Sequence, residues 1–188
     1  LDVLSILAPE DRHKLLAMGS GLSVEKETEK DEQTLPLVVF HLGGEAYGLR
    51  LEEVREVIRV GLITPVPRAP SFVDGVINLR GEVMPVVDLR TRFGLPRVAA
   101  TALSRILICT IAGVNTGLVL DSVDEVKSVS LDSLGDPPRV TSVGGNRYIE
   151  KVARTASGMV FLLAIQELLT ETEEKQLQSL QGRKRDGA

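Results

Sequence analysis

Few side chains in this sequence could serve as a nucleophile, a general base or a metal ligand. The chain of 188 residues has two histidines and one cysteine. Cys109 lies within the apolar run 106–111, so we expect a buried thiol that behaves as a small hydrophobe. A single cysteine excludes a disulfide within the chain and a metal site built from several thiolates. The predicted role of this residue is therefore structural.

The two histidines offer little more to catalysis. His41 alternates with Phe40 and Leu42 on a predicted strand, which places its ring toward solvent or a satisfied hydrogen bond. His13 lies in EDRHKLLAMG, on a predicted helix of a terminal arm. A histidine on the surface of a helix is the favoured interpretation. Phosphotransfer through His13 is kept as an alternative from another functional class.

The sequence also lacks the common nucleotide- and metal-binding motifs. It contains no GxxxxGK[ST] loop, no GxGxxG and no acidic DxDxDG loop. The glycine pairs 43–44 and 144–145 occur where turns are expected, which favours turns over phosphate cradles. We therefore predict a binding module that is not an enzyme and that uses no cofactor and no metal.

The net negative charge of the chain comes from its N-terminal segment. The formal net charge is −4, and residues 1–34 hold eight acidic and four basic side chains, so the remainder is neutral. Nucleic acid is not a predicted partner, because phosphate binding requires a basic surface. The basic residues 183–185 are expected to form a solvated tail. No apolar stretch approaches the roughly 20 residues that span a bilayer, so no direct membrane insertion is predicted, and a cytoplasmic location is favoured.

The pattern of apolar residues predicts mainly β structure. Residues 9–18 indicate a short helix, and residues 23–34 indicate a charged linker. From Leu35, short runs of Val, Ile and Leu alternate with Gly, Pro and Asn every 8 to 12 residues or so, which is typical of an all-β barrel or sandwich. From about Ile165, apolar residues recur at helical spacing and predict a C-terminal amphipathic helix.

An internal repeat organises the β region. FHLGGEAYGLRLEEVREVIRV, from Phe40, aligns with CTIAGVNTGLVLDSVDEVKSV, from Cys109, at a constant offset of 69 residues, with eight identities in 21 positions. Each copy predicts a strand, a glycine turn, a second strand and a connector that returns through valines. We expect two related β units in tandem, joined at a shared interface, with Val54 and Val123 in equivalent places.

Three segments resemble the CheW-like family of bacterial chemotaxis proteins, which includes coupling proteins and the regulatory domain that ends the histidine kinase CheA. They are FHLGGEAYGLRLEEVREVI, TPVPRAPSFVDGVINLRGEVMPVVDLRTRFG and GLVLDSVDEV. The resemblance implies an all-β fold of two tandem five-stranded SH3-like barrels with a C-terminal α-helix and a short N-terminal helical or disordered arm. We expect the arm and charged linker over 1–34, the CheW-like domain over 35–165, and the helix and tail over 166–188.

The resemblance also implies a function. Proteins of this family are non-catalytic adaptors that join the cytoplasmic tips of chemoreceptors, the methyl-accepting chemotaxis proteins, to a CheA-type histidine kinase in membrane-associated arrays. We expect the same role and the same location here. An alternative is that the chain is the excised regulatory domain of the kinase itself, which would also account for a first residue that is not methionine.

Four residues are candidates for the receptor- or kinase-binding surface: Val54, Glu56, Arg80 and Gly81. Arg80 and Gly81 form the bend in GVINLRGEVMPVVDLR, where an arginine between two apolar strands presents five donors and a fixed charge to a partner. The resemblance places Glu56 and Val54 on the partner-facing edge, although by periodicity alone Val54 also fits a core position. The alternatives for Arg80 are that it simply keeps the turn soluble or that it forms an ion pair with Asp88 within the fold.

Two neighbouring polar residues have predicted structural roles. Asn78 is expected to hydrogen-bond nearby backbone at the bend. Asp88 is expected to cap the short helix that begins in DLRTRFG. Nearer the C-terminus, Lys151 and Ala153 replace two glycines that family members commonly have. We expect the strands to persist there, because MVFLL keeps its apolar run.

Overall fold

The computed structural model describes residues 33–138 and 146–182, which form eleven strands and two α-helices. The strands are β1 Thr34–Leu42, β2 Glu45–Arg50, β3 Val54–Arg59, β4 Val73–Leu79, β5 Glu82–Asp88, β6 Arg105–Ile111, β7 Val114–Leu120, β8 Ser122–Ser130, β9 Leu134–Gly135, β10 Ile149–Thr155 and β11 Gly158–Leu163. The helices are α1 Leu89–Arg92 and α2 Glu171–Gly182. The predicted helix 9–18 with His13, most of the charged linker, the glycine pair 144–145 and the basic tail lie outside the described residues.

The strands form two sheets, so the predicted all-β fold of two β units with a C-terminal helix is confirmed. One sheet has six strands in the order β8-β1-β2-β11-β10-β9, and the other has five in the order β3-β6-β7-β5-β4. The sixth strand of the larger sheet, β9, has only two residues. Within the described residues, neither ladder closes into a complete hydrogen-bonded barrel.

The repeat is visible in the strand pairing, and it shows how the two sheets are built. Val54 of β3 pairs with Cys109 of β6, and Val123 of β8 pairs with Phe40 of β1. These pairs occupy equivalent positions at the offset of 69, which confirms the predicted equivalence of Val54 and Val123. The third strand of each repeat therefore lies in the sheet that contains the first two strands of the other repeat. The two units are interlocked, an arrangement that a simple tandem order does not describe.

The core between the sheets is held by aromatic side chains, although aromatic residues make up only 3% of the chain. Tyr47 lies at its centre, with its ring centroid 5.3 Å from that of Phe93 and 5.8 Å from that of Phe161. The rings of Phe93 and Tyr148 stack at 5.6 Å. Residues from both sheets thus share one apolar core, which agrees with the predicted shared interface.

Two arginines of the α1 helix connect further elements around this core. Arg90 donates two hydrogen bonds to Asp121, at 2.7 and 2.5 Å, and Asp121 also accepts the Gly43 amide at 2.9 Å. Arg92 donates two bonds of 2.7 Å to Glu173 of α2. α1 is therefore tied to the loop between β7 and β8, to the turn between β1 and β2, and to the C-terminal helix.

The C-terminal helix begins later than its apolar pattern suggests. Residues 165–167 form a 3-10 turn, and the α-helix starts at Glu171. The start is set by a capping box, because the Glu173 carboxylate accepts the Thr170 amide at 2.8 Å. Leu177 and Leu180 pack into the core and hold the helix against the five-stranded sheet.

The strands near the replaced glycines persist, as expected. β10 and β11 pair through both positions, with Ala153 opposite Val160 and Lys151 opposite Leu162. Ala153 is fully buried, and Lys151 donates to Asp136 at 2.7 Å. The small side chain of Ala153 fits its buried position, and the ion pair with Asp136 accommodates Lys151.

Candidate docking site

The bend between β4 and β5 is a tight two-residue turn. Arg80 and Gly81 both have positive φ, 52° and 85°, which is the signature of a type I′ hairpin turn. An arginine in this left-handed conformation is strained, whereas glycine is not. The Asn78 side-chain oxygen accepts the Gly81 amide at 2.9 Å, which confirms the role predicted for Asn78. The turn therefore holds Arg80 in a defined position at the surface.

Arg80 forms an ion pair with Glu56. Its two terminal nitrogens donate to the two Glu56 carboxylate oxygens at 2.9 and 2.7 Å, in the bidentate geometry that arginine and carboxylate favour. The Arg80 side chain is 58% exposed and that of Glu56 is 29% exposed. A guanidinium group has five N–H donors, so this pair leaves at most three for a partner.

The pair joins the two edges of the five-stranded sheet. Glu56 belongs to β3 at one edge, and Arg80 follows β4 at the opposite edge. The sheet curls so that these edges meet, and the chain beyond β3 forms an isolated bridge to β4, with Thr64 and Val76 exchanging backbone hydrogen bonds of 2.9 Å. We call this meeting line of β3 and β4 the seam.

Each member of the pair stabilises the charged form of the other. The hydrogen bond from Arg80 holds the pKa of the Glu56 carboxyl below its ordinary value, and the same bond raises the pKa of Arg80. Glu56 is therefore ionised at neutral pH, and the seam presents a paired charge to solvent.

The other two candidate residues flank the pair in different ways. Gly81 is exposed next to Arg80 at the tip of the turn. Val54 is half-buried at the start of β3 and packs against the core, so both of its proposed roles remain compatible with its position. A β-bulge separates it from Glu56. The structure thus brings Glu56, Arg80 and Gly81 together, with Val54 on the same strand as Glu56.

Asp88 does not pair with Arg80, so that alternative is wrong. Its carboxylate accepts the Arg90 amide at 2.9 Å and the Thr91 hydroxyl at 2.7 Å, which confirms its predicted role as the helix cap. The Asp88 side chain therefore accepts its hydrogen bonds at the start of α1. This position is at the opposite end of β5 from the Arg80 turn.

The second unit has an equivalent seam with different side chains. Ala156 and Ser157 occupy the turn between β10 and β11, in the place that Arg80 and Gly81 take between β4 and β5. Lys127 of β8 donates to the Ser157 hydroxyl at 3.1 Å across this seam. The interpretation of the sequence did not identify this site, because the repeat alignment ended before the second hairpin. Lys127 also contacts Glu125, the repeat equivalent of Glu56, at 3.0 Å. The two seams therefore share a backbone plan and an acidic residue, and they differ in the side chains of the turn.

Sequence interpretation also missed an apolar pocket beside the Arg80 turn. The pocket has a volume of about 270 Å³ and is lined mainly by Val66, Val76, Ile77, Val83 and Leu180. No short-range signal links these residues, because Leu180 belongs to α2, about a hundred positions along the chain. Only the packing of α2 against the five-stranded sheet brings them together.

Two of the residues first considered for catalysis, Cys109 and His41, have contacts that fit structural roles. Burial raises the pKa of the Cys109 thiol to about 12, consistent with its predicted role as a buried hydrophobe. His41 contacts Asp124 at 2.9 Å, as expected of a satisfied side chain. No group of three or more histidine, cysteine or acidic residues in the described segments is arranged to hold a metal ion. Within the same segments, no helix is long and apolar enough to cross a membrane.

Two interlocked β units that share one core, each with an exposed seam, are the class of fold that the structure defines. Comparison with known proteins agrees with this class: the model of the CheW-like domain matches residues 36–173. The chain is 32% identical over 154 residues to the chemotaxis protein CheW of Treponema pallidum, which covers 80% of this chain and 90% of the relative. It is also 34% identical over 111 residues to the protein FrzA of Myxococcus xanthus, covering 59% of this chain and 67% of FrzA.

A solved structure shows the same fold. The scaffolding protein TtCheW of Thermoanaerobacter tengcongensis superposes with a TM-score of 0.69 at 36% identity, over 75% of this chain and 96% of that chain. The chain therefore belongs to the CheW-like family, and it is a chemotaxis coupling adaptor. Nothing in these comparisons favours the kinase fragment or phosphotransfer through His13.

Proposed function

We propose that the chain joins the cytoplasmic tips of chemoreceptors to a CheA-type histidine kinase, and that it does so in arrays at the membrane. Family membership supports the role of an adaptor, and the relatives named above are chemotaxis and scaffolding proteins. The observation that carries the proposal is the exposed Glu56–Arg80 pair at the seam of the five-stranded sheet.

The pair suits a docking surface because its geometry is already set. The type I′ turn and the Asn78 hydrogen bond hold Arg80 before a partner arrives, so little side-chain freedom is lost on binding. The remaining guanidinium donors face solvent and can meet carboxylates or backbone carbonyls on a polar receptor helix. Val54, Glu56, Arg80 and Gly81 form the proposed contact surface.

An adaptor needs two different surfaces, and the unequal seams supply them. The first unit offers the Glu56–Arg80 pair, and the second offers Lys127 with Ser157. Because the two seams have the same backbone plan but different side chains, one partner is not expected to bind both equally well. This asymmetry supports a role between two distinct proteins. Binding alone is enough for this role, so no catalytic step is proposed.

The proposal can be tested by reconstitution. Membrane vesicles that contain a chemoreceptor are sedimented with purified CheA-type kinase, with and without the chain. The kinase is expected to sediment only when the chain is present, and Arg80→Ala is expected to reduce its recovery. Arg55→Ala serves as the matched control, because Arg55 is exposed on the same strand as Glu56. Kinase that sediments equally well without the chain would contradict the coupling role.

A further inference from the structure

Two arginines face each other where β3 ends and β6 begins. Arg59 is the last residue of β3, Arg105 is the first residue of β6, and the two are directly opposed in the antiparallel pair. Opposed residues place their side chains on the same face of a sheet, with Cβ atoms roughly 4.5 to 5.5 Å apart. Like charges in this arrangement destabilise a sheet.

No acidic side chain in residues 33–138 and 146–182 offsets this repulsion. Neither Arg59 nor Arg105 takes part in an ion pair there. Arg105 instead donates from one terminal nitrogen to the Ala102 and Ser104 carbonyl oxygens, both at 2.8 Å. These bonds orient the guanidinium and leave its Nε and its second terminal nitrogen for an acceptor on a partner. A carboxylate between the two arginines would remove the repulsion and accept charge-assisted hydrogen bonds.

Two exposed leucines border the arginines. Leu62 is 87% exposed and Leu103 is 67% exposed, the highest values among the exposed large apolar side chains of the described segments. Leu62 comes three residues after Arg59, and Leu103 comes two residues before Arg105. Because β3 and β6 are antiparallel, the chain leaves β3 and enters β6 at the same end of the sheet. The four residues therefore share one surface, which we call the leucine–arginine patch.

Hydrogen bonds fix the backbone on both sides of the patch. The Ser104 amide donates to the Thr101 carbonyl at 3.1 Å, and the Ser104 hydroxyl accepts the Thr101 amide at 2.8 Å, so Leu103 lies in an ordered turn. Thr64, two residues after Leu62, exchanges backbone hydrogen bonds with Val76. Little backbone freedom is therefore lost when a partner covers the leucines.

The patch and the Glu56–Arg80 pair lie on different faces of β3. Beyond its bulge this strand alternates regularly, so Glu56 and Ile58 share one face, whereas Val57 and Arg59 share the other. Ile58 packs against the apolar cluster inside the five-stranded sheet, and Val57 packs against the core between the two sheets. A protein held at the ion pair therefore does not occupy the patch.

The side chains of the patch define the chemistry of its partner. Exposed leucines are removed from water by aliphatic side chains, and arginines bind carboxylates in bidentate geometry. A nucleic-acid backbone would contact the arginines but would leave the leucines in water. A protein surface that combines aliphatic groups with carboxylates satisfies both parts of the patch.

We propose that the leucine–arginine patch docks an element of a partner protein on which aliphatic side chains are flanked by carboxylates. This partner is a different protein from the one that is held at Arg80. Under the proposed function, on which this assignment rests, the receptor docks at Arg80, so the patch binds the CheA-type kinase. Surfaces on different faces of β3 allow both proteins to be bound at once.

The experiment measures two probes separately with the full chain. Purified CheA-type kinase is titrated by calorimetry, and chemoreceptor vesicles without kinase are tested by sedimentation. Leu103→Ser and Arg59→Glu are each expected to weaken kinase binding by about tenfold and to leave vesicle binding unchanged. The loss caused by Arg59→Glu should shrink when salt rises from about 0.05 M to about 0.5 M, because salt screens exposed charges. The loss caused by Leu103→Ser should persist.

Matched variants control for charge and for apolar exposure. Arg55→Glu makes the same charge reversal at an exposed position on the same strand, outside the patch. Leu131→Ser removes a leucine that is 40% exposed in the turn after β8. Both controls should bind the kinase as the native chain does. Thermal denaturation verifies that all four variants remain folded, as expected of exposed positions.

The outcomes separate the patch from the coupling role. Native affinity of Leu103→Ser and Arg59→Glu for the kinase, in a chain that couples normally, would overturn the patch alone. Equal losses for the kinase and the vesicles would show that the patch is not a separate surface. A native chain that bound neither probe would reject the proposed function, and with it the assignment of the patch to the kinase.

Discussion

Val123 of β8 lies opposite Phe40 of β1, so a strand of the second repeat completes the sheet in which the first repeat begins. The reciprocal pair, Val54 opposite Cys109, completes the other sheet. Because each sheet contains strands from both repeats, neither repeat can form its sheet alone. The two units are therefore expected to unfold together in one cooperative transition.

A buried charge in one sheet should consequently disrupt both. Val86 of β5 is fully buried in the five-stranded sheet, and Val86→Asp is expected to destabilise the fold by about 3 kcal/mol or more, because an unpaired carboxylate is placed in the core. Circular dichroism and methyl NMR measure the loss. Signals from the six-stranded sheet should disappear together with those of the five-stranded sheet.

Leu62→Asp is the control for this variant. Leu62 follows β3 and is 87% exposed, so a carboxylate there should change the melting temperature little. A Val86→Asp protein whose six-stranded sheet remained folded would show that the units are independent despite their shared strands.

The Arg80 turn should affect binding more than stability. Arg80→Ala removes an exposed ion pair, which contributes little to the fold, so the melting temperature is expected to stay nearly unchanged. Binding to receptor vesicles should weaken by about tenfold, the range expected for the loss of a preorganised arginine contact. Co-sedimentation and thermal denaturation measure the two effects separately.

Glu56→Ala should reproduce much of this loss, because Arg80 then loses the carboxylate that orients it. In the double variant, the combined loss should be smaller than the sum of the two single losses, since both act through one pair. Additive losses would indicate that the two residues contact the partner independently. A large fall in melting temperature would assign the pair to the stability of the seam.

The repeat explains what could be predicted from sequence and what could not. The offset of 69 correctly placed Val54 and Val123 in equivalent positions, because strand, turn and strand leave a local pattern. It did not reveal the exchange of β3 and β8, since pairing within a copy and pairing across copies have the same periodicity. The registers that distinguish them depend on packing between strands about fifty residues apart for β3 and β6, and about ninety for β1 and β8.

The same difference between local and long-range contacts applies to the candidate site. The Asn78 and Asp88 hydrogen bonds span two or three residues, and both were predictable from turn and cap chemistry. The partner of Arg80 was not, because Glu56 meets it only when the sheet curls and its two edges come together. The pocket was equally inaccessible, since α2 supplies Leu180 from the far end of the described chain.

Acid should weaken the contact between α1 and the six-stranded sheet. The hydrogen bond from Arg90 holds the pKa of Asp121 below its ordinary value, so this carboxylate stabilises the fold above its unfolded pKa of about 3.9. The stabilisation is lost as the pH falls through the lower folded pKa. Asp121→Asn is expected to cost about 1 to 2 kcal/mol at pH 7, and its difference from the native chain should shrink below about pH 4.

Urea denaturation at several pH values measures this difference. Asp132→Asn is a suitable control, because Asp132 is exposed in the turn after β8. An Asp121→Asn difference that stayed constant down to the lowest pH would show that lost packing, and not lost charge, explains its effect.

The seam itself depends on a glycine. Gly75 of β4 has φ 151°, and a Cβ built there would lie 2.3 Å from the Thr64 carbonyl oxygen. Gly75→Ala must therefore separate Thr64 from β4 and break the bridge that brings the sheet edges together, at a cost of about 3 kcal/mol. Gly113→Ala is the matched control, because Gly113 also has positive φ, 77°, but its Cβ would meet no atom within 4 Å. Backbone strain alone should cost it about 1 kcal/mol. Under conditions in which both variants remain folded, only Gly75→Ala should weaken receptor binding, and equal binding by the two would separate the docking site from the seam.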